Sequence, residues 1–379
     1  MKNNSVNKRY VPKLRFKGFN EFWKITKIEN EFFIKKGVQI NKSLIHQNGK
    51  FYHLNGGLTY SNKCNKWNTK KNTISISEGG ESCGYISWND QKFWAGGHLY
   101  TLDVLNSQNN SKYLYYVLKK NEKLIMNLRV GSSIPNIQKK DLFSFKISIS
   151  INNEEQIKIS NFLSLLDKQI SLLENKLKLT EQIKDWIIEF LYKKAKQNKK
   201  IKLSEILDPR IVGHIIDLKG YTPISIMLHG KGFKENTLNV KLTKKGRKYY
   251  ERFSGDLIIG LQNFHNGSID ILNDEYNKPI MSNAIASFVN KSQYPLKIIK
   301  YILLSKKHQQ YLINIAEGTG QKEFTINKIL DSYIWIPTDK FINKFLNLIT
   351  LLELQIKLLN NKKEVLEKNK KFYLNNLFI

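Results

Sequence analysis

The sequence predicts an α+β chain: two globular α/β modules separated by two long helices that pair as a coiled coil, built as a pseudo-two-fold internal repeat. Three observations predict it. The stretch 159–192 (ISNFLSLLDKQISLLENKLKLTEQIKDWIIEFLY) and the stretch 345–378 (FLNLITLLELQIKLLNNKKEVLEKNKKFYLNNLF) align at an offset of 186 residues with 12 of 34 positions identical. Both carry apolar residues alternately four and three apart, the spacing of a coiled-coil seam. The remaining sequence, in a chain of 379 residues that is 41% hydrophobic, is enough for two further cores.

The elements follow in chain order. The first module, 1–150, starts its regular part at Trp23-Lys-Ile-Thr-Lys-Ile. Alternation predicts short strands at Thr73–Ser77, Cys83–Ser87 and His98–Asp103, with turns at Gly79-Gly80 and Gly96-Gly97. Ser111 is placed to cap a helix over Lys112–Asn127. A polar loop, Gly131–Asn136, then leads into an alternating strand, Phe143–Ile149. The first long helix occupies 151–197 and from Glu154 to Lys196 would measure roughly 65 Å at ~1.5 Å per residue. Its seam is Ile159, Leu163, Leu166, Ile170, Leu173, Leu177, Ile187 and Leu191, interrupted by Thr180 and Lys184. A second apolar stripe (Phe162, Leu165, Leu172, Leu179, Ile183, Trp186, Phe190) makes the apolar arc wide enough for one partner helix and another protein.

The lysine-rich hinge Lys193–Lys202 contains no Gly or Pro, so the helix is expected to run into it. The second module, 198–338, begins much as the first does, with Ile201-Lys-Leu-Ser-Glu-Ile. Strands are expected at Asp256–Gly260, Ser268–Leu272 and Ala284–Asn290. Pro295 suits the first turn of a helix over Leu296–Ala316. The loop Gly318–Lys322 and the strand Tyr333–Ile336 repeat the order seen in the first half. The second long helix, 339–379, has the seam Phe345, Ile349, Leu352, Ile356, Leu359, Leu366, Tyr373 and Leu377, interrupted by Lys363 and Lys370.

Charge narrows the function. The chain carries 62 Lys and Arg against 32 Asp and Glu, a formal net charge of +30. Such an imbalance calls for a polyanion, nucleic acid first. Only six of the cations are arginines (Arg9, Arg15, Arg129, Arg210, Arg247, Arg252), a bias expected of an AT-rich genome. That bias inflates lysine without explaining the excess over acids. There is no run of ~18 apolar residues, so no membrane partner is expected. The polar N-terminus lacks a signal core. Cys64 and Cys83 lack zinc spacing and fit a reduced, cytoplasmic setting.

No catalytic or metal constellation is expected either. Neither a phosphate loop nor a dinucleotide fingerprint occurs. His46, His53, His98 and His265 lack metal spacing. Ser132, Ser133 and Cys83 have no base and orienting acid near them in sequence. The chain reads as a recognition protein without a cofactor of its own.

Candidate DNA contacts are the residues that mix positive charge with aromatic or small polar character. In the first module these are Lys63, Lys66, Lys70 and Lys71 around Trp67, with Arg129 and the loop serines Ser132 and Ser133. In the second they are Lys241, Lys244, Lys245, Arg247 and Lys248, in a stretch that continues through Tyr249, Tyr250 and Arg252, with Gln321 and Lys322 in the equivalent loop. Such side chains neutralise phosphates and pack on sugars. Solvated lysine-rich loops and ordinary turns are the alternative reading.

Four stretches in order resemble the specificity subunit of type I restriction–modification systems. They are Val11-Pro-Lys-Leu-Arg-Phe-Lys-Gly-Phe-Asn-Glu-Phe-Trp, Asn136-Ile-Gln-Lys-Lys-Asp-Leu, Glu155-Gln156-x-x-Ile159, and Phe162-Leu-Ser-Leu-Leu-Asp-Lys-Gln-Ile170. The resemblance implies that each globular part is a target-recognition domain reading half of a split double-stranded DNA target in the major groove. It implies that the two long helices pack as an antiparallel coiled coil, fix the gap and dock two modification subunits that use S-adenosylmethionine to methylate adenine. It further implies two restriction subunits using ATP with Mg, and no active site in this chain. The second half departs from the pattern, having Asp339-Lys340-Phe341 in place of the Glu-Gln pair. The competing expectation is a stand-alone DNA-binding or coiled-coil scaffold protein without methyltransferase partners.

Overall fold

The computed structural model describes residues 11–131, 135–236, 247–315 and 324–379. It separates into two compact units. One runs up to Glu174 and resumes over Asn361–Ile379; the other is Asn175–Asn360. The division falls inside both long helices, so each unit owns one globular part and a portion of each helix.

In the first unit the main sheet is antiparallel, in the order Phe32–Lys36, Leu99–Val104, Thr73–Ser77, Ile86–Asn89. Every residue of Thr73–Ser77 is buried, because both faces of this central strand are covered. Ile74 and Ile76 join the apolar core with Tyr113, Leu114, Tyr116 and Val117 of the helix Ser111–Lys120. On the other face Ser75 accepts a hydrogen bond from Asn89 Nδ2 at 2.9 Å, which meets the requirement of a buried hydroxyl. A second, three-stranded sheet has the order Asn62–Cys64, Phe51–Leu54, Phe93–Ala95, the last pair parallel. Where the two sheets meet, a Cβ on Gly37 would lie 2.2 Å from the Gly96 carbonyl oxygen, so only glycine allows the crossing. A ribbon of Lys24–Lys27 and Lys146–Ile149 closes the module at the start of the long helix.

The second unit repeats the plan. Its main sheet runs Leu207–Pro209, Ile285–Asn290, Leu257–Gly260, Ile269–Ile271, strand for strand the order of the first. Its second sheet runs Phe233–Glu235, Thr222–Ile226, Pro279–Ser282, Tyr249–Glu251, again with one parallel pair, and gains the strand Tyr249–Glu251. Its ribbon pairs Lys199–Lys202 with Tyr333–Ile336.

Several local expectations need correction. The helix cap is Asn110, whose side chain accepts from Tyr113 N at 2.8 Å, rather than Ser111. The helix expected over Lys112–Asn127 breaks at Asn121 into Ser111–Lys120 and Glu122–Met126. The one expected over Leu296–Ala316 breaks at Ser305, whose hydroxyl accepts from His308 N at 3.2 Å and starts a new helix, Lys306–Ile315; Ala316 lies outside the described residues. The strand expected from Phe143 starts at Lys146, after a short helix, Lys139–Ser144. The strand expected at Cys83–Ser87 is displaced to Ile86–Asn89. The long helix does run into the lysine-rich hinge but only as far as Ala195, and Lys199–Lys202 is drawn into the ribbon by its partner strand.

The long helices are Asn153–Ala195 and Asp339–Asn376. All the seam residues named from sequence are buried or half-buried, while Leu165, Leu172, Leu179, Trp186, Leu351, Leu358 and Phe372 on the second stripe are exposed. In each unit the two helix segments run antiparallel. In the first, Ile159 and Leu163 share a core with Tyr373 and Leu377. In the second, Ile187 and Leu191 share one with Phe345 and Ile349.

The lysines that interrupt the seam have a structural purpose. In the first unit Lys370 reaches Asp167 at 2.5 Å, and Lys363 reaches Glu174 at 2.8 Å. In the second unit Lys184 faces Glu353 at 4.0 Å. Asp167 and Glu353 are repeat equivalents, and each also accepts a tyrosine hydroxyl from its own module: Tyr116 to Asp167 at 2.6 Å, and Tyr301 to Glu353. Each module is thereby tied to the helix pair by the same acid–tyrosine–lysine junction. Burial and the adjacent carboxylate push both tyrosine hydroxyls far above their ordinary pKa, so they remain donors.

The Glu-Gln pair is also structural. Glu155 is wholly buried and accepts from Arg15 Nε at 2.6 Å, Arg15 Nη2 at 2.9 Å, Trp23 Nε1 at 3.1 Å and Ser150 Oγ at 2.6 Å. Gln156 accepts from Asn110 N at 2.8 Å and donates to Ser150 O at 2.8 Å. The first turn of the helix is therefore pinned to the N-terminal segment and to the module's own capping residue.

Candidate DNA interface

Apart from Arg129, the described candidates lie on or beside the second sheet of each module. Lys63 lies on the strand Asn62–Cys64 and is half-buried. Lys66, Trp67, Lys70 and Lys71 follow it in the loop to the main sheet and are exposed. Asn68 fixes this loop, donating to Ala95 O at 3.0 Å and accepting from Ala95 N at 2.7 Å. Trp67 is 45% exposed, and the Lys92 ammonium sits over its ring at 4.2 Å. Lys70 differs from its neighbours in having an acid partner, Asp103, at 2.9 Å.

Arg129 is exposed beside the base of the loop Gly131–Asn136. Val130 and Asn136 close that base with reciprocal backbone hydrogen bonds of 2.8 and 2.9 Å. Gly80 N donates to Pro135 O and Ile137 N to Glu78 O, both at 2.9 Å, which fastens the loop to the end of the central strand. Glu78 also receives Lys36 at 2.6 Å and Tyr100 Oη at 2.9 Å. Lys36, absent from the sequence candidates, thus links the loop to the wall where Lys70 and Trp67 stand. Ser132 and Ser133 lie outside the described residues.

In the second module Arg247 and Lys248 are exposed and lead into the strand Tyr249–Glu251. Lys241, Lys244, Lys245, Gln321 and Lys322 lie outside the described residues. Arg252, part of the same basic stretch, is not a surface cation. It is buried, donates to Ile285 O at 2.6 Å, and is pushed down to about 10 by desolvation. Arg210 is held by Asp256, with Nη2 to Oδ1 at 2.7 Å. Charge counted along the sequence therefore overstates the free charge on this surface, because local composition says nothing of which cations already have partners.

Among the described residues no group of three or more His, Cys, Asp or Glu is arranged to hold a metal, and no helix is long and apolar enough to cross a membrane. His308 is fully buried among Tyr192 and Tyr311, with neither ring nitrogen hydrogen-bonded among the described residues. Desolvation pushes it down to about 3, so it is a neutral core residue.

Comparison with known proteins fits this geometry. Residues 20–184 match the family model of the type I restriction modification DNA specificity domain. A putative type I specificity subunit of Mycoplasma genitalium is 36% identical over 176 residues, 46% of this chain and 45% of that protein. One from Mycoplasma pneumoniae is 35% identical over 176 residues, 46% of each. In these alignments the chain spans about half the length of the curated relatives it matches. The crystal structure of a type I restriction–modification S subunit from M. genitalium shares the fold, with a TM-score of 0.71 and 22% identity over 97% of this chain and 99% of that one. With two modules of one sheet order, and with the Glu-Gln and Asp167 motifs serving as the anchors of a long helix, the chain has the fold of a type I S subunit, and its residues 20–184 are similar to the type I restriction modification DNA specificity domain.

Proposed function

We propose that this chain is the DNA-reading subunit of a type I restriction–modification complex, with a target-recognition domain in 1–150 and another in 198–338, each reading half of a bipartite target. The observation that carries the reading is one sheet order used twice, with exposed cations and aromatics placed on second sheets that differ. A scaffold shared by both modules has no reason to vary its second sheet; two readers of two sequences do. Phosphate neutralisation by lysine and arginine supplies affinity, and side chains at base edges supply the choice.

The exposed apolar stripe on the long helices supports docking of two adenine-methyltransferase subunits, since contiguous apolar surface mostly marks a partner site. Those subunits would hold S-adenosylmethionine, and restriction subunits would hold ATP with Mg. The spacer helices, proposed as 151–197 and 339–379, would set the gap between half-sites, and the complex would work in the cytoplasm. Methylation itself requires the adenine to leave the stack, which falls to the partner.

The test is a genome-wide map of N6-methyladenine in cells with and without this gene. A split motif that disappears on deletion is the expected result. An unchanged methylation map would leave a stand-alone DNA-binding or scaffold protein as the better reading.

A further inference from the structure

Each unit has a cavity at the same corner of its fold, and the two are walled differently. In the first unit a cavity of about 280 Å³ lies where the edge strand Phe32–Lys36 and its neighbour Leu99–Val104 meet the loop 67–70. In the second, one of about 240 Å³ lies where Leu207–Pro209 runs out beside Ile285–Asn290 and meets Tyr249–Glu251. The equivalence is one of register. Lys35 pairs with Thr101 in the first main sheet, and Arg210 N donates to Ser287 O at 2.8 Å in the second; all four residues line the cavities. Both corners therefore carry a cation, Lys35 on the edge strand and Arg210 just past the end of its counterpart.

The walls differ in chemistry. The first is formed by the indole of Trp67 and by Lys70, whose ammonium is steadied by Asp103. The second is formed by Tyr250, whose ring lies 5.5 Å from the buried Arg252 guanidinium, and by Asn283. Contact with phosphate alone needs only protruding lysines. A concave site with an aromatic wall and hydrogen-bonding side chains beside it suits a flat, edge-functionalised ligand.

We propose that these two cavities are the base-reading sites of the modules, each receiving base edges of double-stranded DNA. The inference rests on the DNA-reading function above. Lysine donors beside Trp67 match an edge rich in acceptors, as guanine presents, or a thymine methyl; an asparagine amide matches the donor–acceptor pair of adenine. Duplication accounts for the shared position, and the need to read two different halves accounts for the unlike walls.

The test is the methylation motif of the intact complex in cells carrying variants of this chain. Trp67→Ala with Lys70→Ala relaxes base choice in one half-site, and Tyr250→Phe with Asn283→Ala relaxes it in the other, each by about tenfold at the affected position. Lys66→Ala with Lys71→Ala, outside the cavity, weakens methylation without changing the motif. If the alanine variants lose all methylation, Trp67→Phe and Asn283→Gln replace them and are scored the same way. A wild-type split motif that every cavity variant leaves unchanged, or that both pairs alter in the same half, overturns the cavity assignment alone. The absence of any split motif in the wild type overturns the DNA-reading function instead.

Discussion

The starts of the two long helices do the same job with opposite chemistry. Glu155, in the first turn of one helix, is a buried carboxylate held by Arg15, Trp23 and Ser150. In the other helix the first turn has Asp339-Lys340-Phe341, and Phe341 packs against the apolar core, its ring 5.9 Å from that of Phe190. An apolar contact tolerates small misfit. A buried carboxylate does not, because its desolvation is repaid only when its partners are in place. The repeat has therefore kept a geometry rather than a set of interactions, and the polar version fixes the N-terminal segment to one helix at the risk of a larger loss when broken.

The largest expected effect tests that contrast. Glu155→Ala leaves Arg15 and Ser150 without their acceptor and should cost about 3–5 kcal/mol, as breaking buried ion pairs does. Phe341→Ala, at a half-buried site, should cost about 1–2 kcal/mol, less than the loss for a fully buried ring. Chemical denaturation of both variants ranks them; an equal or reversed order would mean that the polar anchor is not the stronger one.

The second effect concerns pH. His308 in the second unit is held neutral by burial, with its value lowered from 6.5 to about 3. Its contribution is complete above 6.5 and is lost as pH falls from 6.5 toward 3, because the unfolded chain takes up the proton first. At pH 5 this amounts to about 2 kcal/mol. Denaturation at pH 7 and pH 5 should show that loss, and His308→Leu should remove it. An unchanged pH slope in the variant would assign the loss to other groups.

The smallest effect compares the two acid–tyrosine junctions. Tyr116→Phe and Tyr301→Phe each remove one hydrogen bond to a carboxylate and should cost about 1–2 kcal/mol apiece. Hydrogen exchange should quicken in Ser111–Lys120 for the first variant and in Leu296–Leu304 for the second. Loss of protection in both helices from either variant would show that the junctions are not local.

Much of this architecture was legible along the chain. The seam from Ile159 to Leu191 and from Phe345 to Leu377 could be read because helical neighbours three and four apart share a face, so sequence spacing is spatial spacing. The strands Thr73–Ser77 and Tyr333–Ile336 were readable for the related reason of alternation. Breaks at Asn121 and Ser305 were not, since a short polar side chain inside an apolar run looks like a helix interior until its hydroxyl or amide is seen to cap a backbone group. Lys184 and Lys370 looked like faults in the seam because their acids, Glu353 and Asp167, are on the other helix.

The sequence by itself determined the duplication, the two long helices, the excess of positive charge and the resemblance to type I specificity subunits. Each depends on composition or on residues close together in the chain. Only the tertiary structure decided that Glu155 meets Arg15 across 140 positions, that Arg252 is buried while Arg247 is exposed, and that Lys35 and Trp67 wall one cavity as Arg210 and Tyr250 wall its counterpart. These depend on where distant strands are brought together, and the spacing of residues along a chain carries no record of that.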